Sequence, residues 1–131
     1  QGTVMDLYPT ILSVAHVKSP KHYVLDGADL KKLLQGKEDK NHRDDFLMHF
    51  PHGEHRANYF TTYRKGDWKL IYYYNPETTG IPTWKLYNLK DDPYETSELS
   101  AKYPEKTASM IELMKNRLTE ENALYPITEN K

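Results

Sequence analysis

The sequence predicts an α+β fold: a four-stranded antiparallel sheet that packs against one long C-terminal helix and is preceded by short helices. Two patterns predict it. Between Phe46 and Asn88, aromatic and β-branched residues dominate four short segments that polar or glycine-containing stretches separate, which is typical of strands. From Pro104 onward, apolar residues recur at three and four positions instead, which is the period of a helix.

The predicted strands cover residues 46–50, 59–64, 68–74 and 84–88. The connection at residues 65–67 is short, polar and contains a glycine. We therefore expect the second and third strands to pair as an antiparallel hairpin. Side chains alternate between the two faces of a strand. The face expected to form the core carries Trp68, Leu70, Tyr72 and Tyr74.

Three helices are expected. The first spans residues 6–15 with Asp6 as its N-cap, and the second spans residues 25–34 and is closed by Gly36. The third begins at Pro104, because proline at the first helical position has no N–H to leave unpaired. Its apolar stripe comprises Thr107, Met110, Ile111, Met114 and Leu118.

Composition excludes several function classes. The chain has 131 residues, a formal net charge of −1 and no cysteine, so disulfides, thiolate metal sites and a cysteine nucleophile are excluded. A nearly neutral chain has no strong field to attract nucleic acid, and we expect no nucleic-acid partner. No apolar stretch approaches the ~20 residues needed to span a bilayer, and we expect no membrane segment. The first residues lack a basic leader and an apolar core, so no secretory signal is expected here.

A polar stretch divides the chain. Residues 38–45 hold charged and amide side chains with nothing to bury, as is typical of an exposed linker. We expect this linker to join two parts, residues 1–37 and 46–131.

One cluster carries most of the potential chemistry. His49, His52, His55 and Arg56 lie within eight residues of one another, and such side chains can bind a metal ion or an anion. Zinc requires ligands that converge tetrahedrally, whereas Pro51 and Gly53 suggest a strand end that runs into a loop. We therefore expect no metal site. The alternatives are a binding loop for an anionic or sugar ligand and a solvated loop.

Other charged residues are expected to be structural. Arg64 and Lys69 lie on the predicted hairpin and are expected to coat a solvated face or an interface. Asp91, Asp92 and Glu95 form one short acidic turn, which lacks the six to eight oxygens that calcium prefers. Turn formation explains them without a metal ion.

Five segments together resemble the C-terminal end of sulfatases. They are, in order, residues 4–12 (VMDLYPTIL), 25–30 (LDGADL), 66–71 (GDWKLI), 85–89 (KLYNL) and 91–96 (DDPYET). The resemblance implies that residues 1–37 end a sulfatase catalytic domain and that residues 46–131 form the small C-terminal subdomain. The chain departs from the family at Glu98, where members often have asparagine, and this departure concerns a local turn or cap.

The resemblance also implies a reaction for the parent enzyme. Sulfatases hydrolyse sulfate esters with a formylglycine, made within a Cys/Ser-x-Pro-x-Arg motif, beside a calcium ion held by aspartate pairs. None of these motifs occurs here in its expected context. The chain is thus expected to contain no catalytic residue and no cofactor, to be inactive alone, and to depend on calcium and formylglycine in its parent.

The remaining implications concern partners and location. The expected partners are the chain's own upstream catalytic domain and a sulfated carbohydrate or aryl sulfate. His49, His52, His55 and Arg56 are expected to line the substrate pocket. Sulfatases of this kind are commonly periplasmic, extracellular or lysosomal, which implies an exported parent.

Three alternatives remain open. One is a phosphonate or phosphodiester hydrolase, whose related fold carries a similar C-terminal region. Another is a non-catalytic carbohydrate-binding module, which the 12% aromatic content favours. The third is an assembly domain that associates through the apolar stripe of Leu7, Ile11 and Val14.

Overall fold

The computed structural model of the protein describes residues 2–40, 42–51, 59–74, 80 and 82–125. The chain divides into two compact units, Gln1–Asp44 and Asp45–Lys131, here called unit 1 and unit 2. No helix among the described residues is long and apolar enough to cross a membrane.

Unit 2 contains the predicted sheet. Its strands are β1 (Asp45–Phe50), β2 (Phe60–Lys65), β3 (Trp68–Tyr73) and β4 (Trp84–Asn88). All pairs are antiparallel, and the spatial order follows the sequence. The β2–β3 turn places Gly66 at a φ of +56°, a left-handed conformation that glycine adopts without a steric penalty. The predicted strands and hairpin are therefore confirmed.

The strand register aligns side chains in three rows across one face of the sheet. The middle row consists of Leu47, Tyr63, Leu70 and Leu86. Its last three members are buried in the core together with Met110, Met114 and Leu118 of the long helix. The prediction that the face of Trp68 and Leu70 forms the core is confirmed.

The long helix, Pro104–Glu120, begins at the predicted proline and is called α3 here. Near its start, Lys106 Nζ lies 5.5 Å from the centre of the Trp68 ring on β3. Near its end, Arg117 Nε lies 3.5 Å from Asp45 Oδ2 on β1, which also accepts a hydrogen bond from the Tyr63 hydroxyl at 3.0 Å. The helix therefore crosses the sheet from β3 to β1.

Unit 1 differs from the prediction in one element. It contains a 3-10 helix (Val4–Asp6), α1 (Leu7–Val14) and α2 (Lys31–Leu34). Gly36 follows α2 with a φ of +70°, so it closes this helix as predicted. The predicted helix over residues 25–34 was too long, because residues 25–30 are not helical.

Contacts made by two side chains explain this difference. The Ala28 amide donates to Asp6 Oδ1 at 2.7 Å and the Leu30 amide donates to Thr10 Oγ1 at 2.9 Å, so neither amide is available to a helix. Gly27 lies so close to the preceding segment that a Cβ atom there would be 2.1 Å from the Met5 carbonyl oxygen. These contacts hold residues 25–30 along the first helical turns.

Asp6 is the N-cap residue of α1, as predicted. Its carboxylate makes no capping bond to α1 and accepts hydrogen bonds from the amides of Ala28 and Thr3 instead. Desolvation acts to raise the pKa of this carboxyl, but the hydrogen bonds from Ala28 and Thr3 outweigh it and hold the pKa below its ordinary value. Asp6 thus joins two segments that are distant in sequence.

Residues 98–100 cover the free edge of β4. The Leu99 amide donates to the Leu86 carbonyl at 2.9 Å. Glu98 Oε1 accepts from the Leu86 amide at 2.9 Å and from the Ser100 amide at 2.7 Å. A carboxylate thus satisfies an edge amide that would otherwise lack a strand partner. Glu98 is the position at which the sequence departs from the sulfatase pattern, and its carboxylate is the group that accepts these hydrogen bonds at the edge of β4.

Removing this carboxylate is expected to destabilise unit 2. We expect Glu98→Ala to lower the free energy of unfolding by about 1–2 kcal/mol, since the Leu86 amide loses its acceptor. Glu98→Gln, which keeps an acceptor oxygen but loses the charge, should lose less. Urea denaturation at pH 7 measures both variants, and equal losses would contradict the role of the charge.

The stabilisation of unit 2 by the Glu98 carboxylate depends on pH. Desolvation acts to raise the pKa of Glu98, but the hydrogen bonds from Leu86 and Ser100 outweigh it, and the pKa lies below the ordinary value of 4.5. The stabilisation is therefore complete above pH 4.5 and is lost as the pH falls through the lowered pKa. The difference between wild type and Glu98→Gln should shrink over that range.

Candidate functional site

His49, the described member of the predicted binding cluster, lies on the third row of the sheet face that α3 covers, together with Thr61, Tyr72 and Trp84. Its Nε2 is 2.7 Å from the carbonyl oxygen of Leu124. Because a carbonyl oxygen only accepts, Nε2 carries the hydrogen and donates. In the neutral ring, Nδ1 then accepts from Thr61 Oγ1 at 2.7 Å, and Thr61 Oγ1 accepts from the Tyr74 hydroxyl at 2.8 Å.

This chain of hydrogen bonds joins four parts of unit 2: β1, β2, the residue that follows β3, and the segment that follows α3. Thr61 at its centre is fully buried, so its hydroxyl needs these partners. Both ring nitrogens of His49 are occupied. A role of His49 in binding substrate therefore requires one of these hydrogen bonds to open.

We expect His49→Phe to lower the free energy of unfolding of unit 2 by about 1–2 kcal/mol, because it keeps a ring but removes two hydrogen bonds. Urea denaturation provides the measurement. Met48→Phe is a suitable control, since Met48 is exposed on the neighbouring position of the same strand. If His49→Phe and Met48→Phe lower the free energy of unfolding equally, the hydrogen bonds of His49 do not stabilise the fold.

The other three residues of the predicted cluster, His52, His55 and Arg56, lie outside the described residues. The segment that contains them connects the end of β1 to the start of β2. Their role in binding substrate stays a prediction.

The remaining charged residues that the sequence highlighted make contacts within the chain. Lys69 Nζ donates to both carboxylate oxygens of Glu95, at 2.6 and 2.8 Å, and Arg64 Nε donates to the Gly66 carbonyl. In the acidic turn, Asp92 accepts from the Ser97 amide at 2.8 Å. Among the described residues, no group of histidine, aspartate or glutamate side chains could hold a metal ion.

An aromatic group that the sequence did not predict lies beside His49. The Tyr72 ring centre lies 4.4 Å from that of Trp84 and 4.6 Å from that of Tyr74. Tyr125, beyond the end of α3, meets both Tyr74 and His49 edge to face, with centre distances of 6.2 and 6.0 Å. Alternation along β3 predicted that Tyr72 and Tyr74 share a face, but nothing in the sequence relates Tyr125 to them.

Two sets of apolar side chains among the described residues include exposed members. In unit 1, α1 exposes the predicted stripe of Leu7, Ile11 and Val14, and a groove of about 520 Å³ lies beside Met5 and Tyr8. In unit 2, the face of the sheet opposite α3 carries a set of apolar side chains. They are Phe46, Met48, Phe50, Phe60, Ile71 and Tyr73.

Comparison with known families identifies the chain. The family model for the C-terminal region of N-sulphoglucosamine sulphohydrolase matches residues 3–123. The chain belongs to this sulfatase C-terminal family. The resemblance expected from the five sequence segments is confirmed.

The sulfatase C-terminal region has a relative in fission yeast. It is 34% identical over 121 residues to an uncharacterized sulfatase of Schizosaccharomyces pombe, and the match covers 84% of this chain and 20% of that protein. The chain therefore spans about a fifth of the length of this relative.

Solved structures share the fold of the sulfatase C-terminal region. One, determined in complex with its substrate D-glucosamine-2-N,6-O-disulfate, is 29% identical, with a TM-score of 0.66 over 87% of this chain and 23% of that chain. Another, the phosphonate monoester hydrolase of Agrobacterium radiobacter, is 22% identical, with a TM-score of 0.61 over 88% of this chain and 24% of that chain. The second likeness concerns the fold alone.

Proposed function

We propose that this sulfatase C-terminal region is part of a larger sulfuric ester hydrolase, in which it packs against the rest of the enzyme and supplies part of the wall of the substrate pocket. The parent would cleave a sulfate ester of a carbohydrate or an aryl alcohol. The 131-residue chain alone would have no activity, since its sequence contains no Cys/Ser-x-Pro-x-Arg motif and we place the nucleophile elsewhere in the parent.

The exposed stripe of α1 is the observation that carries the packing role. Ile11 is 62% exposed, and Leu7 and Val14 are each 56% exposed, although apolar side chains on one face of a helix normally lie against another element. An apolar patch of this kind marks an interaction surface. Because the chain spans about a fifth of its relative, the remainder of the same polypeptide is the partner that we assign to this surface.

The face of the sheet opposite α3 supports a second contact with the parent. Met48 and Phe50 of β1 are exposed on it, and Lys85 of β4 lies on it with Nζ 5.6 Å from the centre of the Tyr73 ring. A mixed face of this kind resembles an interface between domains more than a solvated surface. We propose that the parent covers it.

The pocket wall is the finer part of the proposal. His49, His52, His55 and Arg56 supply imidazole and guanidinium donors, which match the oxygens of a sulfate group or sugar hydroxyls. The solved relative that holds a disulfated glucosamine supports a sulfated sugar as the ligand class. His49 would act by holding the end of β1, from which the segment with the other three residues departs.

Calcium and formylglycine belong, in this proposal, to the catalytic domain of the parent. The described residues contain no group suited to a metal ion, so they do not fit a calcium site. The residues of this chain are therefore assigned only to packing and to hydrogen bonding with substrate.

A complementation experiment tests the proposal. The gene is first sequenced upstream of Gln1, where an in-frame Cys/Ser-x-Pro-x-Arg motif is expected. That upstream region and the 131-residue chain are then produced separately and assayed with an aryl sulfate, alone and mixed. Activity is expected only in the mixture. Full activity of the upstream region alone would refute the proposal, and hydrolysis of an aryl phosphonate monoester in preference to the sulfate would favour the related hydrolase class.

A further inference from the structure

The third row of the sheet face that α3 covers is buried only in part. The helix reaches the first row at Trp68 and Asp45, and its buried side chains pack on the middle row. The third row consists of His49, Thr61, Tyr72 and Trp84. Tyr72 and Trp84 are only partly buried. Together with Tyr74 and Tyr125 they form what we call the aromatic cluster.

Three of the four polar groups of the aromatic cluster remain available, whereas the Tyr74 hydroxyl is bonded to Thr61. The hydroxyls of Tyr72 and Tyr125 and the indole N–H of Trp84 have no hydrogen-bond partner among the described residues, and none of them is buried from solvent. Tyr125 is 56% exposed. Buried tyrosine and tryptophan side chains normally find such partners, so this group presents ring surface together with open donors.

Within the described part of the chain, no charged side chain pairs with the aromatic cluster. The lysines that lie over aromatic rings in the described residues contact Tyr73, Tyr103 and Trp68, none of which is a member. No described carboxylate or guanidinium makes a hydrogen bond or an ion pair with the four rings. The cluster therefore suits a neutral ligand that offers an apolar face and hydroxyl groups, and the ring of a sugar has both features.

We propose that Tyr72, Tyr74, Trp84 and Tyr125 form a saccharide subsite for the uncharged part of a glycan. The subsite takes a sugar ring adjacent to the sulfated residue, an assignment that rests on the proposed function. Its position agrees with this role, because the end of β3 and the start of β4 lie at the same end of the sheet as the end of β1 and the start of β2. The segment with His52, His55 and Arg56 connects those last two strand ends. The His49 hydrogen bonds hold Tyr74 and the backbone beside Tyr125 in place.

Nuclear magnetic resonance titration of the 131-residue chain tests the subsite. The probe is N,N′,N″-triacetylchitotriose, an uncharged glucosamine oligosaccharide, and D-glucosamine-2-N,6-O-disulfate serves as the charged comparison. We expect a saturable shift of the Trp84 indole N–H signal with the neutral probe, unchanged by added salt because no ion pair forms. Tyr125→Ala should weaken binding about five-fold, as expected for the loss of one aromatic contact.

Two further variants make the result interpretable. Tyr94→Ala is the matched control, because Tyr94 is 87% exposed and lies outside the cluster, and it should bind like wild type. Trp84→Phe keeps a ring but removes the indole donor and with it the indole signal, so its binding is followed by the backbone amide signals of residues 84 and 125. It should also weaken binding while preserving the dispersed spectrum of a folded chain. The absence of a saturable shift, or a shift that both cluster variants leave unaltered, would overturn the proposal.

The outcome is separable from that of the complementation experiment. If the chain binds the neutral probe but does not restore sulfatase activity, the proposal of the subsite stands and the proposal of a sulfatase parent is refuted. If the chain restores activity but does not bind the probe, the sulfatase parent stands and the subsite is refuted.

Discussion

Leu70→Ala is expected to lower the free energy of unfolding of unit 2 by about 3 kcal/mol, the middle of the range for removing a buried leucine side chain. Leu70 is fully buried and lies between Tyr63 on β2 and Leu86 on β4. The helix packs over it, so a cavity left by alanine has rigid walls on every side. Urea denaturation followed by tryptophan fluorescence measures the loss.

Leu124→Ala provides the matched control for this core substitution. The Leu124 side chain is 81% exposed, and only its backbone carbonyl contacts His49. Its replacement should change the free energy of unfolding by less than about 0.5 kcal/mol. Similar losses in the two variants would mean that the core does not lie where the structure has it.

Ile11→Asp is expected to weaken association of the chain with the upstream region about ten- to a hundred-fold in the complementation assay. Burial of one isoleucine side chain contributes about 1.5–3 kcal/mol, and a tenfold change in affinity corresponds to about 1.4 kcal/mol. A buried carboxylate would add a desolvation cost. Titration of sulfatase activity against the concentration of the chain gives the apparent affinity.

The chain alone should tolerate this change, because Ile11 is exposed in unit 1, and its thermal unfolding should match that of wild type. Ser109→Asp places the same charge on the exposed side of α3 and should restore activity as wild type does. If Ile11→Asp also restores activity with unchanged affinity, the stripe of α1 is not an interface with the parent.

Local patterns were sufficient to predict most of unit 2. Alternation of apolar residues along β3 predicts that Trp68 and Leu70 face the core, and the short glycine-containing connection predicts the hairpin. The spacing of Met110, Met114 and Leu118 predicts the buried side of α3, and all three are buried. These features depend on residues close together in sequence, which is why periodicity alone reveals them.

Contacts between distant residues could not be predicted in the same way. The segment before α2 has a helical pattern, but bonds to Asp6 and Thr10, which lie 22 and 20 positions away, hold it in another conformation. His49 bonds to Leu124 across 75 positions. A histidine in a polar cluster is equally compatible with a ligand or a structural role until its partners are known.

The strand order of unit 2 has a consequence for how the protein folds. Every strand pairs with its neighbour in sequence, so the sheet can grow by successive closures of short connections, each with a small entropic cost. Chains whose contacts are mostly local fold faster than those that must first bring distant segments together. Unit 2 therefore has a topology suited to rapid folding.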